Sequence, residues 1–185
     1  MKNAGVALIV LANALLTLAT PAAAELKTQT VDYKHGETAL EGYLAYDDAI
    51  SGKRPGVVLL HRRDGMTDLT RKNTEMVAKL GYVVFAPDIF GKTVRPKDVK
   101  EMVEQSSIYN KDRPLMRARA QAGFDVLRQN PMVDPARLAM IGYCFGGRWR
   151  SNSRKWLPRC WGRSPFTAHS VTTHPRRQTT SRGNS

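Results

Sequence analysis

Acidic residues are in short supply in this chain: 16 Asp and Glu stand against 29 Lys and Arg, and none follows Gly147. Nine of the basic residues lie after Gly147, so the first 147 residues carry 20 against 16 and are close to balanced. The formal charge of +13 therefore belongs mostly to the tail and does not mark the main body as a nucleic-acid or lipid-surface binder. Cysteine is scarcer still. With only Cys144 and Cys160, a disulfide-dense scaffold is excluded; one bridge or two free thiols remain, and a free thiol at Cys144 is the expectation. The chain has no internal repeat, no glycine-rich phosphate loop and no metal-ligand spacing of His, Cys and carboxylates, which leaves P-loop and metal chemistry without support.

Long apolar runs are missing too. The stretch Val6 to Ala19 follows Lys2 and precedes Pro21 and Ala22-Ala23-Ala24, the build of a secretory signal cleaved before Glu25 rather than of a membrane span. Residues 1–24 are set aside as that signal, with an uncleaved anchor as the alternative, and an exported, periplasmic protein is expected. The 185 residues, 42% hydrophobic, suffice for one domain with a core.

What is present alternates between two periods. "QTVDY" and "LEGYLAY" flank a "HGET" turn and predict a β-hairpin. "GVVLL" (Gly56 to Leu60) and "YVVFA" (Tyr82 to Ala86) are unbroken apolar runs, the pattern of parallel strands covered on both faces. Between them Asp68 can cap a helix whose Leu69, Met76, Val77 and Leu80 share a face, with Gly81 at its end and Lys72 and Lys79 solvated. A second helix follows Asp112 and Pro114, with Met116, Ala120, Phe124 and Leu127 on one stripe, and "RLAMIGY" supplies a further strand. The fold class is α/β, a mostly parallel sheet with a leading hairpin.

That last strand runs into Gly142-Tyr143-Cys144-Phe145-Gly146, a G-x-nucleophile-x-G pattern with cysteine in the central place. A strained strand-to-helix turn needs glycine two residues to either side, and it presents the nucleophile at a helix N-terminus that favours thiolate. The Phe145 N–H would point into an oxyanion site. An inert core cysteine is the plain alternative.

Together with "GVVLLHRRDGMTDLTRKNTEMVAKLGYVVFAPDIFG" and "RARAQAGFDVLRQNPMVDPARLAMIGYCFGG", the motif resembles the dienelactone hydrolase family of α/β-hydrolases, from about Thr28 to Gly147. The resemblance implies hydrolysis of a small-molecule ester or lactone through a Cys-His-Asp triad and an acyl-enzyme, without metal or organic cofactor. It implies Cys144 as nucleophile, the Phe145 and Arg63 amides as oxyanion donors, and Lys92 where founding members hold a substrate carboxylate with arginine. Arg62 stands where those members have glutamate near the thiol; as a cation it could favour thiolate or bind an anionic substrate but cannot act as a base. His61 is expected to be structural and Asp88 to form a turn.

The family's Asp and His would follow the elbow, yet residues 148–185 hold no acid and only His169 and His174. Read as it stands, this is a basic, disordered tail, and a non-catalytic exported protein whose tail binds polyanions is the rival reading. All three tryptophans lie there, which is odd for a solvated arm. Taking the third base of each codon with the first two of the next, "RWRSNSRKW" permits V-A-L-E-L-A-Q-V, and "RSPFTAHS" permits V-S-F-H-G-S-L, a helix and a strand of the expected kind. A single-base deletion just after Gly147 is the expectation. On it the tail carries no selected function, residues 25–147 are the N-terminal portion of the hydrolase domain, and no nucleic acid partner is expected.

Overall fold

A computed structural model of the chain describes residues 25–147. Residues 1–24, expected to be a signal, and residues 148–185, with Cys160, His169 and His174, lie outside the described residues.

The hairpin forms as its alternation predicts. Strand β1 (Leu26–His35) pairs antiparallel with β2 (Thr38–Asp47) through an unbroken register from Leu26 opposite Asp47 to His35 opposite Thr38. The two apolar runs are β3 (Arg54–Leu60) and β4 (Val83–Ala86), parallel neighbours, and β5 (Val133–Gly142) lies parallel to β3 on its other side. Strand β2 joins β4 antiparallel, giving a mixed sheet of order β1-β2-β4-β3-β5. Helix α1 (Asp68–Ala78) is the crossover from β3 to β4, and α2 (Val99–Lys111) and α3 (Arg113–Gln129) connect β4 to β5. Among the described residues no helix is long and apolar enough to cross a membrane.

The core is divided by the sheet. On one face Val58, Leu60, Val83 and Phe85 meet Met116, Ala120, Phe124 and Leu127 of α3, the stripe expected from the sequence. On the other, Val57, Leu59 and Val84 meet Ala78 of α1 in a smaller cluster.

Two elements depart from the sequence reading. Helix α1 is rotated from the expected face: Thr70, Thr74 and Ala78 are buried and Leu69, Met76 and Leu80 are exposed, while Val77 alone of the expected stripe packs, half-buried, against the core. Small residues let the helix axis come close to the sheet. The two threonines can be buried because their hydroxyls bond to the Gly65 and Thr70 carbonyls at 2.9 and 2.8 Å. Helix α2 was not expected, although its signal is in the sequence. Asp98 accepts a bond from the Glu101 N–H while the Glu101 carboxylate accepts one from the Lys97 N–H, both at 2.8 Å. This is a variant of the capping box.

Candidate active site

The parallel pairing of β3 and β5 sets Leu60 opposite Gly142, so the segments that leave the two strands start side by side. Cys144 leaves β5 in the left-handed region at φ 54°, where the described residues otherwise place only glycine. Its thiol is free and exposed. Both flanking glycines are required sterically. A Cβ on Gly142 would lie 2.6 Å from the Gly146 backbone, and one on Gly146 would lie 2.5 and 2.8 Å from the Leu60 and His61 carbonyl oxygens. The close approach that packs the elbow against the end of β3 thus excludes any larger residue.

Phe145, the residue after Cys144, points inward. The Phe145 ring is buried, 5.9 Å from the His61 ring and nearly parallel to it, and it also meets Phe90 at 5.5 Å and Tyr109 at 6.3 Å. On the β3 side the chain turns at once. The Gly65 N–H bonds to the Arg62 carbonyl at 3.1 Å, and Arg62 and Arg63 are exposed.

His61 is fully committed. Its Nδ1 lies 2.6 Å from the Arg62 carbonyl oxygen and its Nε2 lies 3.1 Å from the Ile89 N–H. A carbonyl can only accept and an amide can only donate, so the ring is neutral with its proton on Nδ1. Burial holds its pKa below the ordinary 6.5.

The segment after β4 is held just as firmly. Asp88 is buried and its Oδ1 accepts from the Phe90 and Gly91 N–H groups at 2.8 and 3.1 Å, while its Oδ2 lies 3.4 Å from Arg95. It forms the turn expected of it. From below, the buried Arg119 donates to the Ile89 and Phe90 carbonyls at 2.7 and 2.8 Å and to the Tyr109 hydroxyl. Arg119 and Tyr109 were not singled out in the sequence. The only available signal was an arginine one position before Ala120 of the buried stripe.

Lys92 stands apart from this cluster. Its ammonium pairs with Asp32 at 2.5 Å, which raises its pKa, and its amide bonds to Ala39 of β2. Strand β2 is three strand spacings from β5, roughly 14 Å. A substrate carboxylate bound there would have to compete with Asp32. His35 ends β1, four spacings away or roughly 19 Å. Neither histidine of the described residues is therefore placed to serve the thiol as a base, and among those residues no group of three or more His, Cys, Asp or Glu could hold a metal.

A family model, the dienelactone hydrolase family, matches residues 40–155. The chain belongs to the dienelactone hydrolase family. Among relatives of that kind, a Synechocystis sp. protein named as a carboxymethylenebutenolidase is 28% identical over 133 residues, 66% of this chain and 52% of its own. Two solved structures superpose with a TM-score of 0.63 over 66% of this chain and 51% of theirs. One, named m3DLH, is 36% identical. The other, a dienelactone hydrolase-like promiscuous phosphotriesterase from metagenomic libraries, is 35% identical. This chain spans about half the length of these dienelactone hydrolase relatives. Its fold is that of the α/β-hydrolases.

Proposed function

We propose that this chain carries the nucleophile portion of a carboxylic-ester or lactone hydrolase, with Cys144 as the attacking group. The observation that carries the reading is the Cys144 backbone at φ 54° between two glycines that admit no Cβ. A cysteine kept only as a small apolar filler would be buried on a relaxed backbone. This one is exposed on a strained turn beside the ends of two parallel strands.

In the proposed reaction the Cys144 thiolate adds to the carbonyl carbon, and the carbonyl oxygen takes up the negative charge. The Phe145 and Arg63 N–H groups receive that charge. Collapse re-forms the carbonyl and expels the alkoxide, which takes a proton from water, leaving an acyl thioester on Cys144. Water then cleaves the thioester to carboxylate and thiol. This second half needs a base to activate water, and among the described residues neither histidine is placed for it. The exposed Arg62 would favour an anionic substrate; Lys92 would take part only where substrate displaces Asp32.

Mixing the chain with p-nitrophenyl acetate tests the reading. A burst of nitrophenol matched by acetyl on the Cys144 peptide, absent in Cys144→Ala, is expected, followed by slow turnover. An equal burst in Cys144→Ala would sink it. Sequencing the gene from codon 140 onward tests the proposed deletion after Gly147; an intact frame overturns that part.

A further inference from the structure

We infer that His61 is the positioning residue for both oxyanion donors, acting through its Nδ1-protonated neutral tautomer. The inference rests on the reading of Cys144 as nucleophile.

One imidazole touches the support of each proposed donor. Its Nδ1–H bonds to the Arg62 carbonyl at 2.6 Å. That carbonyl belongs to the peptide unit whose N–H is that of Arg63, so the bond fixes the orientation of the Arg63 N–H as well. The same ring stacks on Phe145 at 5.9 Å and 19°, a contact that anchors the Cα next to the second N–H. The third attachment fixes the ring itself: Nε2 accepts the Ile89 N–H at 3.1 Å. The Ile89-Phe90 segment is in turn clamped by Arg119, and the Phe90 ring meets the His61 ring edge-on at 4.7 Å. His61 is thus a three-way joint between the turn after β3, the loop after β4 and the elbow after β5.

The joint works in one protonation state. A proton on Nε2 would turn the acceptor of Ile89 into a second donor facing that N–H, so the bond would be lost and the ring released. The charged groups bearing on the ring are Asp64 from its own turn and Asp88 and Arg95 from the loop after β4, with Arg119 of α3 and the Tyr109 hydroxyl of α2 on the Phe90 carbonyl behind it. Asp88 is occupied by two backbone N–H groups and Arg95.

Two reactions of the same thiol separate positioning from mere folding. Acylation by p-nitrophenyl acetate passes through an oxyanion; alkylation by iodoacetamide is a displacement and does not. Their rate ratio, read on the Cys144 peptide by mass spectrometry in the full chain, cancels thiol exposure and thiolate fraction. In His61→Gln and His61→Asn the ratio is expected to fall about tenfold or more, short of the ~10²–10³ for deleting a donor outright. A ratio unchanged in folded variants overturns the inference and leaves Cys144 as nucleophile. A wild-type ratio no higher than that of glutathione overturns the nucleophile reading and this inference with it. Should both variants unfold, the unsubstituted protein decides. Its ratio should drop in acid as the His61 ring, followed by ¹⁵N NMR, leaves the Nδ1–H tautomer, and a ratio flat through that titration, or an Nε2–H tautomer, overturns the inference.

Discussion

At Cys144 the backbone and the chemistry compete. A non-glycine residue in the left-handed region costs about 1 kcal/mol relative to glycine, and at φ 54° Cys144 bears that cost. Cys144→Gly should therefore raise stability by roughly 1 kcal/mol in urea unfolding while abolishing acylation, a trade expected where strain serves a site. The flanking glycines behave oppositely. In Gly146→Ala the new methyl would sit 2.5 Å from a backbone oxygen, which cannot rotate away as a side-chain end could. A loss of about 2–4 kcal/mol, with slower acylation, is expected there and in Gly142→Ala. Stability within about 0.5 kcal/mol of wild type would show that the elbow does not pack this closely.

Helix α1 shows how an element can be found correctly and oriented wrongly. Its span follows from Asp68 near the start and Gly81 beyond the end, but of the more obvious stripe, Leu69, Met76, Val77 and Leu80, only Val77 packs against the core. Hydrophobicity ranked the faces in one order and the sheet chose the other, because Ala78 and the self-satisfied Thr70 and Thr74 allow closer approach than Leu or Met. Substitution tests this directly. Met76→Gln should change the urea midpoint by no more than about 0.5 kcal/mol equivalent, whereas Ala78→Leu should cost about 1–3 kcal/mol by overpacking. Helix α3 needed no such correction: its stripe of Met116, Ala120, Phe124 and Leu127 is both the apolar one and the buried one.

For the molecule as a whole, His61 couples stability to pH. The folded imidazole has its pKa held below the ordinary 6.5 by burial. Below 6.5 the unfolded chain therefore binds more protons than the folded one, and stability falls as pH falls from there toward the folded pKa. The slope from one such group is at most ~1.4 kcal/mol per pH unit. Urea midpoints from about pH 7 down to about pH 5 should decline, and the decline should shrink in His61→Gln. An equal slope in that variant would assign it to other groups.

The strands, the hairpin, α3 and the elbow were legible along the chain, because each depends on near neighbours: alternation, unbroken apolar runs, caps and the glycine spacing around Cys144. The turn at Asp88 was legible in the same way, whereas the structural place of His61 was what the family resemblance implied. Tertiary structure alone decided the rest. The face of α1 depends on how closely helix and sheet can approach. Lys92 is tied to Asp32, 60 residues away in sequence, so its ion pair is invisible to any local pattern. The commitment of both His61 nitrogens, with Arg119 clamping Ile89 and Phe90 from α3, arises only where the ends of β3, β4 and β5 meet, because buried donors and acceptors must find partners from whichever segments the sheet order brings together.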